Sequence, residues 1–276
     1  MASGAAQETP VNTTVRRASA VVAIAAVGAQ IAYPLVHSGP RDAVTVAVVA
    51  LLAAASILHA IAVRGKLWAA GMVAATAGIG LLSEVVGTAT GIPYGCYEYA
   101  TGRLGWSIAD VPLVVPFAWT AGFYPVWCVA SRLTRQRLSR IVLTTVGVVG
   151  WDLYLDPQMV ADGQWQWCVT DAGLPGVAHI PLTNYAGWLL VAAVMAVLVD
   201  LLDRRTETVS ASDAVPIALF LWTWLGSALA HTVFLDAPEL RYSAVYGAVA
   251  MGVLGVPLLV NLTRTRRAEQ HNTPTA

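Results

Sequence analysis

Hydrophobic and polar positions fall in blocks along this chain, and the apolar blocks share a length. Mostly apolar runs of bilayer-crossing length cover 18–36, 43–63, 67–89, 112–131, 138–157, 181–202, 214–234 and 242–262. A helix of about 20 apolar residues crosses the hydrocarbon core of a bilayer. Ala, Val and Leu dominate these runs, with Gly and other small residues that let helices pack closely in lipid. Residues 1–15 and 264–276 are polar and read as disordered tails around one transmembrane domain, 16–263. The expected fold is all-α: a polytopic integral membrane helical bundle of about eight transmembrane helices, with the N- and C-termini cytoplasmic. No soluble domain or internal repeat stands out.

Composition supports this reading. Hydrophobic residues make up 57% and charged residues 12%, about half the charge of a soluble domain. That charge is too little to cover a water-exposed globule, and the chain is too apolar for disorder. The formal net charge is +0, from 16 basic and 16 acidic residues. No basic face is left for nucleic acid, so no nucleic-acid partner is expected.

Threaded through the spans, the charges separate. With the N-terminus in the cytoplasm, the inner segments hold Arg16, Arg17, Arg64, Lys66, Arg132, Arg135, Arg137, Arg140, Arg204, Arg205, Arg264, Arg266 and Arg267. The outer loops hold Arg41, Arg103 and Arg241. Such a bias is what the positive-inside rule predicts, and it places the chain as a multi-pass protein of a prokaryotic cell membrane, surrounded by lipid. The first run also has a signal-peptide shape, with Arg16 and Arg17 before the apolar stretch and A-x-A-like sites within it. Its length, and Tyr33 and Pro34 at its outer end, favour a span.

The outer side has its own character. Loops 90–111 and 158–180 are the longest, rich in aromatics, Gly and Pro. At or near that interface lie Tyr33, Tyr94, Tyr97, Tyr99, Tyr154, Tyr185, Tyr242, Trp106, Trp151, Trp165, Trp167 and Trp188. An aromatic belt explains scattered Trp and Tyr, but not why the inner side has so few. Cys96 and Cys168 fall in the two long loops, where a bridge is open to them; spacing alone does not establish it. There is no CxxC, HExxH or helix-opening GxGxxG, so metal and nucleotide chemistry have no signature.

Ionisable groups inside a membrane are costly and point to function. Glu84 sits in the third span. Asp152 and Asp156 sit four apart near the outer end of the fifth, on one helix face. Asn184 and Tyr185 open the sixth span, and His231 and Asp236 lie near the outer end of the seventh. Glu98, Asp110, Asp162 and Asp171 lie in the outer loops. Polar residues from at least four spans thus converge in the outer leaflet. Each also has a plainer reading. Asp156 precedes Pro157 and can simply end a helix, Glu84 and Asp152 can be interhelical glue, His231 can be a packing histidine, and the loop carboxylates can be solvated.

The strings around these residues carry a resemblance. SEVVGTATGIPYGCYEY (83–99) is followed by VPLVVPFAW (111–119), YPVW (124–127), WDLYLDPQMVADGQWQW (151–167) and IPLTNYAGWLL (180–190). In order and spacing these resemble the integral-membrane carotenoid hydratases, the bisanhydrobacterioruberin and gamma-carotene hydratases, over residues 67 to about 202. The resemblance implies addition of water to the terminal C=C of an acyclic carotenoid end, giving a tertiary alcohol (a hydro-lyase activity). It implies carotenoid and water as substrates and other enzymes of the same pathway as partners.

The residues suit that chemistry. Hydrating a trisubstituted alkene starts with protonation of the less substituted carbon, which leaves a tertiary carbocation for water to capture. This needs a carboxylic acid kept neutral by its surroundings, aromatic faces near the cation, and a base to position water. The reaction is redox-neutral, so no cofactor is expected. Glu84 and Asp152 are the candidate acid and water-positioning base, in either order, with Asp156 and Asn184 completing the network. Tyr94, Tyr97, Trp151 and Tyr154 are candidates to line the cation site, and Glu98, Tyr185 and His231 to border the substrate. Three other readings stand beside this one. A carotenoid cyclase starts with the same protonation but excludes water, and the WD, Gly and W-x-W run is similar to the small lycopene cyclases. Asp152 and Asp156 form a DxxxD pair of the kind prenyltransferases use to hold Mg²⁺, although no second acidic motif accompanies it. Buried carboxylates also serve proton-coupled transporters.

Overall fold

The computed structural model describes residues 10–37, 39–170, 172–204 and 212–271 and, outside 10–12 and 266–271, their side chains. Among the described residues, eight helices are long and apolar enough to cross a membrane. They are α1 Thr13–Leu35, α2 Gly39–Arg64, α3 Lys66–Thr90, α4 Val114–Leu133, α5 Arg137–Ala161, α6 Leu182–Asp203, α7 Ala214–Phe234 and α8 Leu240–Thr265. The bundle of membrane-capable helices expected from the apolar runs is therefore present. Helical backbone continues beyond the apolar runs, from Pro10 at one end to His271 at the other. Residues 10–15 and 264–271, expected as tails, are therefore helical, because backbone hydrogen bonding need not stop where the apolar run does. Pro10 suits a helix start, where its missing N–H costs nothing. The remaining tail residues, together with Asp171 and Arg205, lie outside the described residues.

Helix α4 is the hub. Two thirds (67%) of its apolar window is buried, more than in any other span. Its buried Trp119, Phe123, Tyr124 and Trp127 leave little of its surface for lipid. Around it pack α2, α3, α5, α7 and α8, while α1 lies on α2 and α6 on α5. On the perimeter the apolar side chains turn outward. Ile24, Leu82, Leu190 and Val249 are each more than half exposed, which is costly in water and ordinary in lipid.

On the face opposite Pro10 and His271, called distal here, the described residues form three small antiparallel sheets. In the first, β1 (Tyr97–Tyr99) pairs with β4 (Trp165–Trp167), matching Tyr97 to Trp167 and Tyr99 to Trp165. The second joins β2 (Ser107–Ile108) to β3 (Val111–Pro112), and the third joins β5 (Gly173–Leu174) to β6 (Val177–Pro181). Cys96 and Cys168, one residue beyond the first ladder on each strand, are disulfide-bonded with Cα atoms 5.3 Å apart. Arg41 pairs with Asp162, and Arg103 with Asp42, which also accepts from Gln164. These contacts fasten the distal loops to α2.

Pro157 does not end its helix; it lies inside α5, which runs on to Ala161. A proline there has no N–H for the carbonyl four residues back, and in lipid that carbonyl must find another donor. It does so: Ser243 Oγ of α8 donates to Leu153 O at 2.6 Å.

Candidate functional site

An apolar cavity of about 520 Å³ lies in the distal half of the bundle, within the range of small-molecule sites. Ile31, Leu35, Leu229 and Phe234 form part of its wall, and each is more than half exposed on the bundle surface. The cavity therefore reaches the lipid-facing side between α1 and α7. Part of its wall is made by π-helical turns of α7, Trp222–Gly226 and Ala230–Phe234. A π-turn places one extra residue in the turn and re-aims its neighbours.

The inner end of the cavity is aromatic. Trp119 of α4 stacks on Trp188 of α6 with centroids 3.8 Å apart, and Trp151 of α5 meets Trp188 edge-on at 5.7 Å. Two glycines make room. A Cβ on Gly80 would stand 2.6 Å from the Trp119 ring, and one on Gly122 would stand 2.2 Å from the Trp151 ring. Neither indole fits beside its neighbouring helix unless that position is bare.

Two buried carboxyl centres flank this aromatic floor. The first is Glu84. Its Oε2 accepts from Tyr97 Oη at 2.5 Å and Tyr99 Oη at 2.8 Å, and its Oε1 accepts from Trp119 Nε1 at 3.1 Å. Strand alternation explains the tyrosines. Residues two apart share a face, so β1 aims Tyr97 and Tyr99 inward and Glu98 outward. Burial, and then the charge of Glu84, push the Tyr97 and Tyr99 phenols far above their usual range, so both stay protonated donors. Three donors thus converge on this one buried carboxyl group.

The second centre is a pair. Asp152 and Asp156 are fully buried on α5, with their carboxyl groups in hydrogen-bonding reach of each other. Asn184 Nδ2 donates to Asp156 Oδ2, and at 3.4 Å to Asp152 Oδ2. Two carboxyl groups this close in apolar surroundings cannot both be ionised at acceptable cost.

Of the residues singled out from the sequence, Glu84, Tyr94, Tyr97, Trp151, Tyr154, Asp156 and Asn184 line one cavity. Tyr94 is fixed by Ser83 Oγ at 2.8 Å, and Tyr154 donates to Trp224 O at 3.0 Å. The others stand elsewhere. Asp152 is buried and is not on the cavity wall. Glu98 is exposed and accepts from Gln166 Nε2 at 2.7 Å. Tyr185 is buried but does not line the cavity. His231 is also off the wall. Its Nδ1 lies 3.0 Å from Ser243 Oγ and its Nε2 lies 3.0 Å from Gln158 Oε1. His231 thus packs α7 against α5 and α8 and holds Gln158, which does line the cavity.

Sequence reasoning left Tyr99, Trp119 and Trp188 out of the site. Tyr99 shares the alternation of Tyr97, a signal that could have found it. The two tryptophans meet only through helix packing, which has no trace in sequence spacing.

A family model described as "Carotenoid biosynthesis protein" matches residues 43–254. The bisanhydrobacterioruberin hydratase of Haloarcula japonica is 32% identical over 121 residues, 42% of this chain and 40% of that protein. The match thus spans less than half of the relative's length. No solved structure matches.

Proposed function

Because the chain belongs to the carotenoid biosynthesis protein family, we propose that it adds water across the terminal C=C of an acyclic carotenoid end. One observation carries the reading. An apolar cavity open toward lipid ends on an aromatic floor with a carboxyl pair and a separate carboxyl group that accepts two hydrogen bonds on Oε2 and one on Oε1.

The substrate enters from the bilayer between α1 and α7, end first, with its polyene lying in the apolar channel. The Asp152–Asp156 pair carries one proton. Asp156, the member on the cavity wall, gives it to the less substituted carbon, and the π electrons form the new C–H bond. This differs from the sequence expectation, which has Asp152 or Glu84 as the acid, and rests on Asp156 lining the cavity where Asp152 does not. The tertiary cation forms beside the Trp119, Trp151 and Trp188 rings, whose faces stabilise positive charge. Glu84 orients a water molecule; as the water oxygen bonds to the cation, its proton passes to the carboxylate. No electrons leave the substrate, and the product is a tertiary alcohol.

The test is pigment analysis in a bacterium that accumulates lycopene, gamma-carotene or bisanhydrobacterioruberin. A product heavier by one water with an unchanged polyene spectrum supports the reading. A product of unchanged mass with blue-shifted absorption means cyclisation. Asp156→Asn and Glu84→Gln are each expected to cost about 10²- to 10⁴-fold in turnover, the usual worth of a positioned acid or base.

A further inference from the structure

Four rings of the cavity wall hang on a very short ladder. β1 and β4 meet at three residue pairs, and a two-stranded ribbon of that size has little stability of its own. Alternation divides its side chains between two faces. Tyr97, Tyr99, Trp165 and Trp167 line the cavity, while Cys96, Glu98, Gln166 and Cys168 are exposed on the other side. The two ends of the ladder are held differently. Next to α5, Ala100 N donates to Gln164 O at 2.8 Å, and the Gln164 side chain donates to Asp42 of α2. At the far end Cys168 N donates to Cys96 O at 2.8 Å, and Trp167 Nε1 donates to Tyr94 O at 3.0 Å. There the Cys96–Cys168 bridge joins strands 72 residues apart in sequence, and beyond it Val169 and Thr170 are exposed. One residue from the bridge, Tyr97 donates to Glu84.

Neither cysteine lines the cavity. We infer that Cys96 and Cys168 are nevertheless positioning residues for the hydration step: their bridge clamps β1 to β4 so that Tyr97 and Tyr99 reach Glu84 together. They act through the two tyrosines, which fix the place of the Glu84 carboxyl and so the water it orients. With the bridge open, the exposed end of the ladder frays. The phenols then leave Glu84 for water, and the carboxyl is free to turn. Full turnover therefore begins only once the two thiols have exchanged with a disulfide-bearing oxidant, which takes their two electrons and two protons and departs as a dithiol.

The inference rests on the hydratase reading for its effect on turnover but not for the clamp, and two measurements separate them. In purified protein in detergent, ultraviolet absorbance counts the tyrosines that ionise at about pH 10. Burial and the charge of Glu84 keep Tyr97 and Tyr99 out of that count while they hold Glu84. The Cys96→Ser, Cys168→Ser double variant should gain these two tyrosines, and the same change in a Tyr97→Phe, Tyr99→Phe background should gain none. Native protein reduced by a phosphine should show the same gain, whether or not the serine variant folds; the phosphine takes the oxygen of one water, whose two hydrogens go to the sulfurs. No gain in the reduced native protein, or a gain that survives in the phenylalanine background, overturns the clamp. In the hydration assay, opening the bridge should lower kcat about tenfold, the scale of one lost hydrogen bond. It should lower kcat no further in the Tyr97→Phe, Tyr99→Phe background. An unchanged kcat, or an equal loss in both backgrounds, overturns the action through the tyrosines. If the native protein hydrates no carotenoid yet the titration responds as expected, the hydratase reading falls and the clamp stands.

Discussion

At the scale of single residues, the account depends on which groups hold protons. Tyr97 and Tyr99 present O–H to Glu84, and burial holds both phenols above their usual range. Unfolded tyrosines ionise near pH 10; the folded ones do not follow. Stability is therefore intact below that value and lost as pH rises past it, because only the unfolded chain sheds these protons. Melting followed in detergent should show Tm falling above about pH 10. The fall should be smaller in the Tyr97→Phe, Tyr99→Phe double variant, and an equal fall in both proteins would remove these phenols from the account. The sequence made Glu84, Asp156 and Asn184 visible as candidates, since carboxyl and amide groups in apolar runs have few other uses, and all three line the cavity. It could not separate Asp152 from Asp156. Spacing of four puts both on one helix face, and only the tertiary packing decides which of them meets the cavity.

At the scale of elements, α5 shows how a broken local rule is repaired. Pro157 leaves Leu153 O without its backbone donor, and Ser243 of α8 fills in. Ser243→Ala should cost about 1–3 kcal/mol by stranding that buried carbonyl. The cost should shrink in Pro157→Ala, where a backbone N–H is restored. Unfolding measured across the four proteins of this cycle gives the coupling directly, and a coupling of zero would mean the two helices meet for other reasons. The Asp156–Pro157 step reads as a helix end because the donor that rescues Leu153 O is 90 residues from it in sequence. Gly122 is a second case. Gly122→Ala drives a methyl into the Trp151 ring and should cost about 1–3 kcal/mol as overpacking. It should also weaken carotenoid binding, read as a higher KM; unchanged stability and KM would place Trp151 elsewhere.

At the scale of the whole molecule, the eight runs of apolar residues foretold the helices, because bilayer thickness fixes their length. The irregular parts stayed hidden. Nothing in hydropathy announces the π-turns of α7, or that α1 and α2 supply Ile31 and Val48 to the cavity wall. The distal disulfide agrees in kind with the charge bias, since such bonds persist in oxidising compartments and basic residues favour the cytoplasmic side. An impermeant thiol reagent should therefore label Cys96 and Cys168 in intact, reduced cells. A cysteine placed at Gln136, on the opposite face, should react only after permeabilisation, and the reverse pattern would invert the topology. The most direct test of the central claim uses purified protein in detergent, an acyclic carotenoid, and water labelled with heavy oxygen, with no ion gradient present. The account predicts a product carrying one labelled oxygen as a tertiary alcohol, formed by the native protein and lost in Asp156→Asn. A product of unchanged mass, or labelled alcohol formed at the native rate by both Asp156→Asn and Glu84→Gln, would contradict it.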